Sequence, residues 1–285
     1  MLKLKSKRLE IVFEEPGEVY CRSRYDWSSF ITDIILDEKY SLLGVESKVI
    51  GDGCGGKGLC GEFCMENPLG YDESAVGDYC IKIGIGLVQK EKDIYSFFDD
   101  LKIKPIVWDV IVGDSNIELF CSQENFNGFA YDLYKNITLD ENTLIIDYKL
   151  VNRGERDIVT SEYIHNYFCF NNRNINAEYE LAIDFNSAFS KPSELFSCKN
   201  GVFSFQDINE TLFRSDTEVC EGEVGSWKLS HKIEGIRVQE SLSKPMKKFA
   251  VFATLHILCP EMFVDINVGA GESFSWQRNW TFDNL

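Results

Sequence analysis

What most restricts this chain is the recurrence, along most of its length, of short strand-like runs closed by polar or glycine-bearing turns. Runs rich in β-branched and aromatic residues fall at 8–14, 29–37, 79–88, 94–98, 104–112, 117–121, 128–139, 143–151, 157–170, 201–207, 235–240, 249–258, 261–268 and 273–282. Residues 112–116 and 140–142 are representative turns. No βα alternation appears, which disfavours Rossmann and TIM-barrel architectures. The pattern predicts an all-β protein, a large antiparallel sandwich or barrel. The chain of 285 residues shows no composition break, low-complexity tract or internal repeat, so residues 1–285 read as one domain. Its 44% hydrophobic and 13% aromatic content can fill a substantial core.

A formal net charge of −17 would repel phosphate backbones and anionic lipid surfaces, excluding nucleic-acid and membrane-surface roles as first expectations. Residues 1–8 are basic but no apolar h-region follows, and no run approaches the ~20 apolar residues of a membrane span. The ten cysteines are therefore expected to be reduced thiols in a cytoplasmic protein. Cys54, Cys60 and Cys64 invite a metal reading, but only Cys60 and Cys64 have ligand spacing and no partner pair lies close, so no metal is expected there.

Residues 51–56 spell the dinucleotide fingerprint, yet further glycines follow instead of the helix whose N-terminus would hold the pyrophosphate. Residues 51–63 read as a flexible loop near the sheet mouth. Residues 160–170 form an aromatic run around one of three histidines. By period two, Glu162, Ile164, Asn166, Phe168 and Phe170 share one face, and Ser161, Tyr163, His165, Tyr167 and Cys169 the other. The second row suits the wall of a site for a polar, flat-sided molecule; a half-buried strand with a satisfied histidine is the plainer alternative. In 20–27, Arg22, Arg24 and Asp26 share a face if the segment is extended, with Trp27 beside them, so they are candidates to bind sugar hydroxyls or a phosphate. Lys82 shares parity with Gly84 and Gly86. Pro260 is expected to break a strand and expose Glu261 at the mouth of the next, with Phe263, Asp265 and Asn267 on its face.

Three segments together resemble the aldose 1-epimerase (galactose mutarotase-like) superfamily: the hairpin 135–152, the histidine strand 162–168, and the turn at Gly271 and Glu272 ahead of Trp276, Trp280 and Phe282. The resemblance implies the family's large β-sandwich with a sugar cleft on one sheet. It implies His165 as general acid and Glu261 as general base, with Glu272 matching the terminal turn, and Arg24 or Arg22 as substrate-binding. No histidine precedes His165, where better-known mutarotases have a second one.

The expected function is cofactor-free interconversion of the anomers of a hexose or related sugar, phosphorylated or not. The carboxylate takes the anomeric proton while the imidazolium protonates the ring oxygen. The two are expected to flank one sugar ring, roughly 5–10 Å apart. Tyr163, Tyr167 or Trp27 would stack on the sugar. A carbohydrate-binding or sensing protein on the same scaffold is the alternative. A glycoside-cleaving enzyme or lyase, using Asp265 as second carboxylate, is a third.

Overall fold

A computed structural model of the chain describes residues 1–185, 187–189, 196–206, 213–219 and 224–285. Among the described residues, two ten-stranded antiparallel sheets hold the molecule. The first runs Leu2–Lys5, Leu9–Phe13, Ile31–Leu36, Leu59–Phe63, Ile158–Asn166, Ile257–Val268, Lys248–Thr254, Phe213–Val219 and Ser187–Phe189, with Tyr40–Ser41 paired to Ile31–Leu36. The second runs Phe196–Lys199, Val202–Phe205, Tyr179–Ile183, Ser226–His231, Ile236–Leu242, Ser273–Asn284, Thr143–Asn152, Phe129–Asp140, Asn116–Phe126 and Trp108–Val112. Tyr79–Lys82, Gly86–Gln89 and Ile103–Pro105 make a small third sheet. The predicted all-β antiparallel sandwich is the fold. Among the described residues no helix is long and apolar enough to cross a membrane.

Period two explains the core. Along Phe129–Asp140 and Thr143–Asn152, which pair as the expected hairpin, Tyr131, Leu133, Ile137 and Leu139 are buried with Leu144, Ile146, Tyr148 and Leu150. Each of the leucines and isoleucines contributes about 1.5–3 kcal/mol on burial. The inner face of the histidine strand Ile158–Asn166 meets the second sheet there: Trp276 Nε1 donates to Glu162, and Trp280 Nε1 to Asn166.

The structure corrects several sequence expectations. The run at 79–88 is a hairpin rather than one strand, because Gly84 (φ +79°) and Gly86 (φ +124°) take a turn that a side chain resists. The run at 104–112 divides between two sheets, and 94–98 is a loop rather than a strand. In the run predicted at 201–207 the strand is Val202–Phe205, and residue 207 lies outside the described residues. The supposed loop at 59–63 is a central strand, every residue buried, paired with the histidine strand from Phe63–Glu162 to Leu59–Asn166.

Pro260 does not break its strand. Ile257–Val268 is continuous through it, with Pro260 opposite Val251 of Lys248–Thr254. A proline inside a paired strand must turn its missing N–H toward the other neighbour, here the histidine strand. The ladder on that side is open: it runs from Ile158–Val268 to Glu162–Val264, stops, and resumes only at the Phe168–Leu258 bridge.

Candidate active site

His165 stands on the outer face of the first sheet, in the row with Tyr163 and Tyr167 that period two requires. Its Nδ1 lies 2.7 Å from Glu261 Oε1, on the strand across the opened ladder. Its Nε2 lies 3.3 Å from Glu62 Oε2, on the strand at its other side. Burial alone would push the imidazole down; the charge and hydrogen bond of Glu261, then the bond to Glu62, outweigh it and raise it above its ordinary value. A carboxyl group at each ring nitrogen favours the protonated form of His165.

Glu62 is anchored from behind. Its Oε2 accepts from Arg24 Nε at 3.0 Å and from the Tyr163 hydroxyl at 2.7 Å, and Lys82 Nζ lies 3.6 Å from Oε1. Burial would push this carboxyl up, but the charges of Arg24 and Lys82 and the bond to His165 hold it well below the usual carboxylate range. Glu62 therefore stays ionised. Glu261 differs: Oε1 receives His165 and the Cys259 thiol (3.4 Å), while buried Oε2 has no hydrogen-bond partner.

His165, Glu261, Tyr167 and Arg24 line a cavity of about 470 Å³. Phe97, Phe98, Phe252 and Met65 supply apolar wall, and Glu46, Ser47, Asp52 and Gly53 complete the lining. Its volume lies in the ordinary range for small-molecule sites. A larger groove, about 840 Å³, is lined by Asp109, Glu118, Phe120, Tyr134 and Lys149 of the second sheet, with no histidine. The smaller cavity is the better site because the coupled imidazole and carboxylate open onto it.

The sequence candidates divide. Arg24, Tyr167, His165 and Glu261 converge on the cavity. Tyr163 and Lys82 lie behind it: Tyr163 holds Glu62 and stacks on Phe263 at 4.1 Å, and Lys82 also donates to the Tyr95 hydroxyl (2.7 Å) and the Cys64 carbonyl (3.2 Å). Arg22, Asp26 and Trp27 do not line it, because the segment is not extended. The chain turns into a 3₁₀ turn at Trp27–Ser29 that Asp26 caps, accepting from Ser28 N at 2.9 Å, and the same carboxylate meets Lys135 at 3.2 Å. Trp27 Nε1 donates to the Arg22 carbonyl, and Arg22 donates to Gly53 O and pairs with Asp100. Asp265 pairs with Lys247 at the surface and Glu272 caps its own turn at Gly269. The expected gap between Glu261 and His165 is absent: they touch, so no ring lies between them.

Sequence reasoning missed Glu62, Glu46, Phe97 and Phe98. The alternation of Leu59, Gly61 and Phe63 with Cys60 and Glu62 was the available signal. Cys54, Cys60 and Cys64 are buried free thiols. Cys259, His165 and Glu261 each offer one ligand atom within 4.8 Å of the others. That nitrogen, sulfur and oxygen set would suit a thiophilic divalent ion. The atoms already bond one another, however, and burial pushes the Cys259 thiol well up, so they read as a hydrogen-bonded chain.

No protein-family model and no curated protein matches the sequence. Solved structures do. The chain is similar to a galactose mutarotase related enzyme from Lactobacillus acidophilus (9% identity, 99% of this chain and 97% of that one, TM-score 0.65). It is also similar to a galactose mutarotase-like protein from Clostridium acetobutylicum (13%, 99% and 95%, 0.62) and to the aldose epimerase homologue from C. elegans (11%, 100% and 98%, 0.60). The fold is the galactose mutarotase-like β-sandwich, shared over essentially the whole chain. Identities this low speak to fold alone.

Proposed function

We propose that the protein is an aldose 1-epimerase-like isomerase that opens and recloses the ring of a hexose or related sugar, with His165 and Glu261 as acid and base. The observation that supports this most is the pair at the cavity wall: the His165 imidazole bonded to Glu261, whose second carboxyl oxygen has no hydrogen-bond partner. The direct contact changes the expected arrangement but not the chemistry. The anomeric hydroxyl and the ring oxygen sit on the same carbon, so acid and base need to reach two adjacent oxygens, not opposite sides of the ring.

Glu261 Oε2 takes the anomeric proton as the C1–O bond to the ring oxygen breaks and C1 becomes a carbonyl. His165 delivers its Nε2 proton to the departing ring oxygen, exchanging its long contact to Glu62 for the substrate. The aldehyde rotates, and the same protons return as the ring closes on the other face. Arg24 and the Tyr167 ring are placed to grip hydroxyls and the apolar sugar face. Acid and base come from side chains alone. The test is anomer exchange by polarimetry: His165→Asn and Glu261→Gln should each lose about 10²–10⁴-fold while folding normally. Unchanged rates in both folded variants would refute the assignment.

A non-catalytic sugar-binding protein is the second reading. The 2.7 Å contact favours it, since it ties Nδ1 and Oε1 to each other and locks the two groups together rather than around a substrate. Calorimetric binding of sugars with no acceleration of exchange would select it.

A further inference from the structure

The opened ladder behind the site poses a physical problem. Over residues 163–167 of the histidine strand and 259–263 of the glutamate strand no backbone pairing fixes one against the other. Yet this interval carries both His165 and Glu261, whose separation the chemistry depends on. Something else must set the spacing.

We propose that Asn166 is the positioning residue that fixes Glu261 against His165. It follows His165 in sequence, and its side chain points to the opposite face, into the sandwich core. Its Nδ2 donates to the carbonyl of Pro260, the residue before Glu261, at 2.7 Å, and to Glu240 Oε2 at 3.0 Å. Its Oδ1 accepts from Trp280 Nε1 at 3.0 Å, which fixes the orientation of the amide. Its backbone N–H points at Cys259 Sγ, 3.0 Å away, in place of a ladder acceptor. The amide thus replaces the missing rungs with a side-chain cross-link one residue from each reactive group.

Arg278, fully buried, secures the other end of the gap. Nη2 donates to the Met262 carbonyl at 2.8 Å and to Glu162 Oε2 at 2.8 Å, and Nη1 to Glu240 Oε1 at 2.8 Å. Trp227 Nε1 completes the set on Glu240. An unpaired carbonyl in this core would be strongly unfavourable, so the bonds to Pro260 and Met262 hold the glutamate strand at a defined height. Pro260 fits because it brings no second donor into the gap. The role is distinct from packing, since Asn166 bonds the backbone of the glutamate strand directly, next to Glu261.

The proposal rests on the acid–base reading for its catalytic consequence but not for its geometric one, and the test separates the two. His165 is the reporter, faced by Glu261, Glu62, Arg24, Tyr25, Tyr163, Tyr167 and Cys259. In Asn166→Ala, side-chain nitrogen NMR of His165 should show its pKa falling toward the ordinary value as Glu261 drifts away. Anomer exchange should lose about 10²-fold in kcat, with KM within threefold, as a displacement of reacting groups does. Should the alanine variant fail to fold, Trp280→Phe, which removes the donor that orients the amide while keeping an aromatic ring in its place, should shift both readouts less and in the same direction. Folded variants with wild-type His165 titration and kcat would overturn the proposal. If His165 shifts while the wild-type protein accelerates no sugar, positioning stands and the isomerase reading falls.

Discussion

Glu62 gives His165 a second carboxylate, and its removal is the sharpest single-residue test of the site's electrostatics. An acid that must be protonated loses activity as pH rises through its pKa, and His165 is raised above the ordinary value near 6.5. Glu62→Gln keeps the shape but removes a charge, so the basic limb of the kcat profile should move to lower pH. An unmoved limb would show that Glu62 does not bear on the acid. The same raised pKa also contributes stability that is present below the ordinary value and lost as pH rises past the folded one. His165, Tyr167 and Glu261 were legible because strand parity puts them in polar rows. Asp26 faces away from the cavity because Asp26 with Ser28 two residues on makes a capped turn instead of the extended segment that would line it. Glu62 was hidden for the opposite reason: Gly58 and Gly61 made a buried central strand look like a loop.

At the scale of elements, that strand depends on one glycine. Gly58 has φ +61°, and a Cβ there would stand 1.9 Å from the Ile31 carbonyl oxygen, a backbone atom that cannot step aside. Gly58→Ala should therefore destabilise the protein by at least about 2 kcal/mol, read as a lowered urea midpoint. A midpoint equal to wild type would mean that the strand Leu59–Phe63 is not seated as described. The hairpin Phe129–Asp140 with Thr143–Asn152 was readable because each strand alternates cleanly over ten or more residues. The glutamate strand was not, because Pro260 ordinarily ends a strand. What rescues it is the opened ladder, a property of the neighbour that no local pattern in 257–268 carries.

At the scale of the molecule, charge is buried between the sheets as well as at the cavity. Glu240 is enclosed, and burial pushes its carboxyl from an ordinary 4.5 up to about 7 against the opposing pull of Arg278, Trp227 and Asn166. The folded state then binds more protons than the unfolded one between those two values, so this group makes stability fall as pH rises from about 4.5 to 7. Glu240→Gln should flatten that fall relative to wild type in urea unfolding followed across the interval; parallel curves would place the Glu240 titration elsewhere. The sandwich was readable from the run of strands and turns, whereas the crossing of Arg278 to Glu162 joins residues far apart in the chain and leaves no local trace. The proposal that the cavity is a place of ring opening has one direct measurement: exchange between the anomers of neutral hexoses, followed by magnetisation-transfer NMR with catalytic amounts of protein. His165 and Glu261 acting as acid and base require exchange above the buffer rate with wild type, returning to that rate with His165→Asn. Saturable binding of those sugars with exchange unchanged by wild-type protein would contradict it.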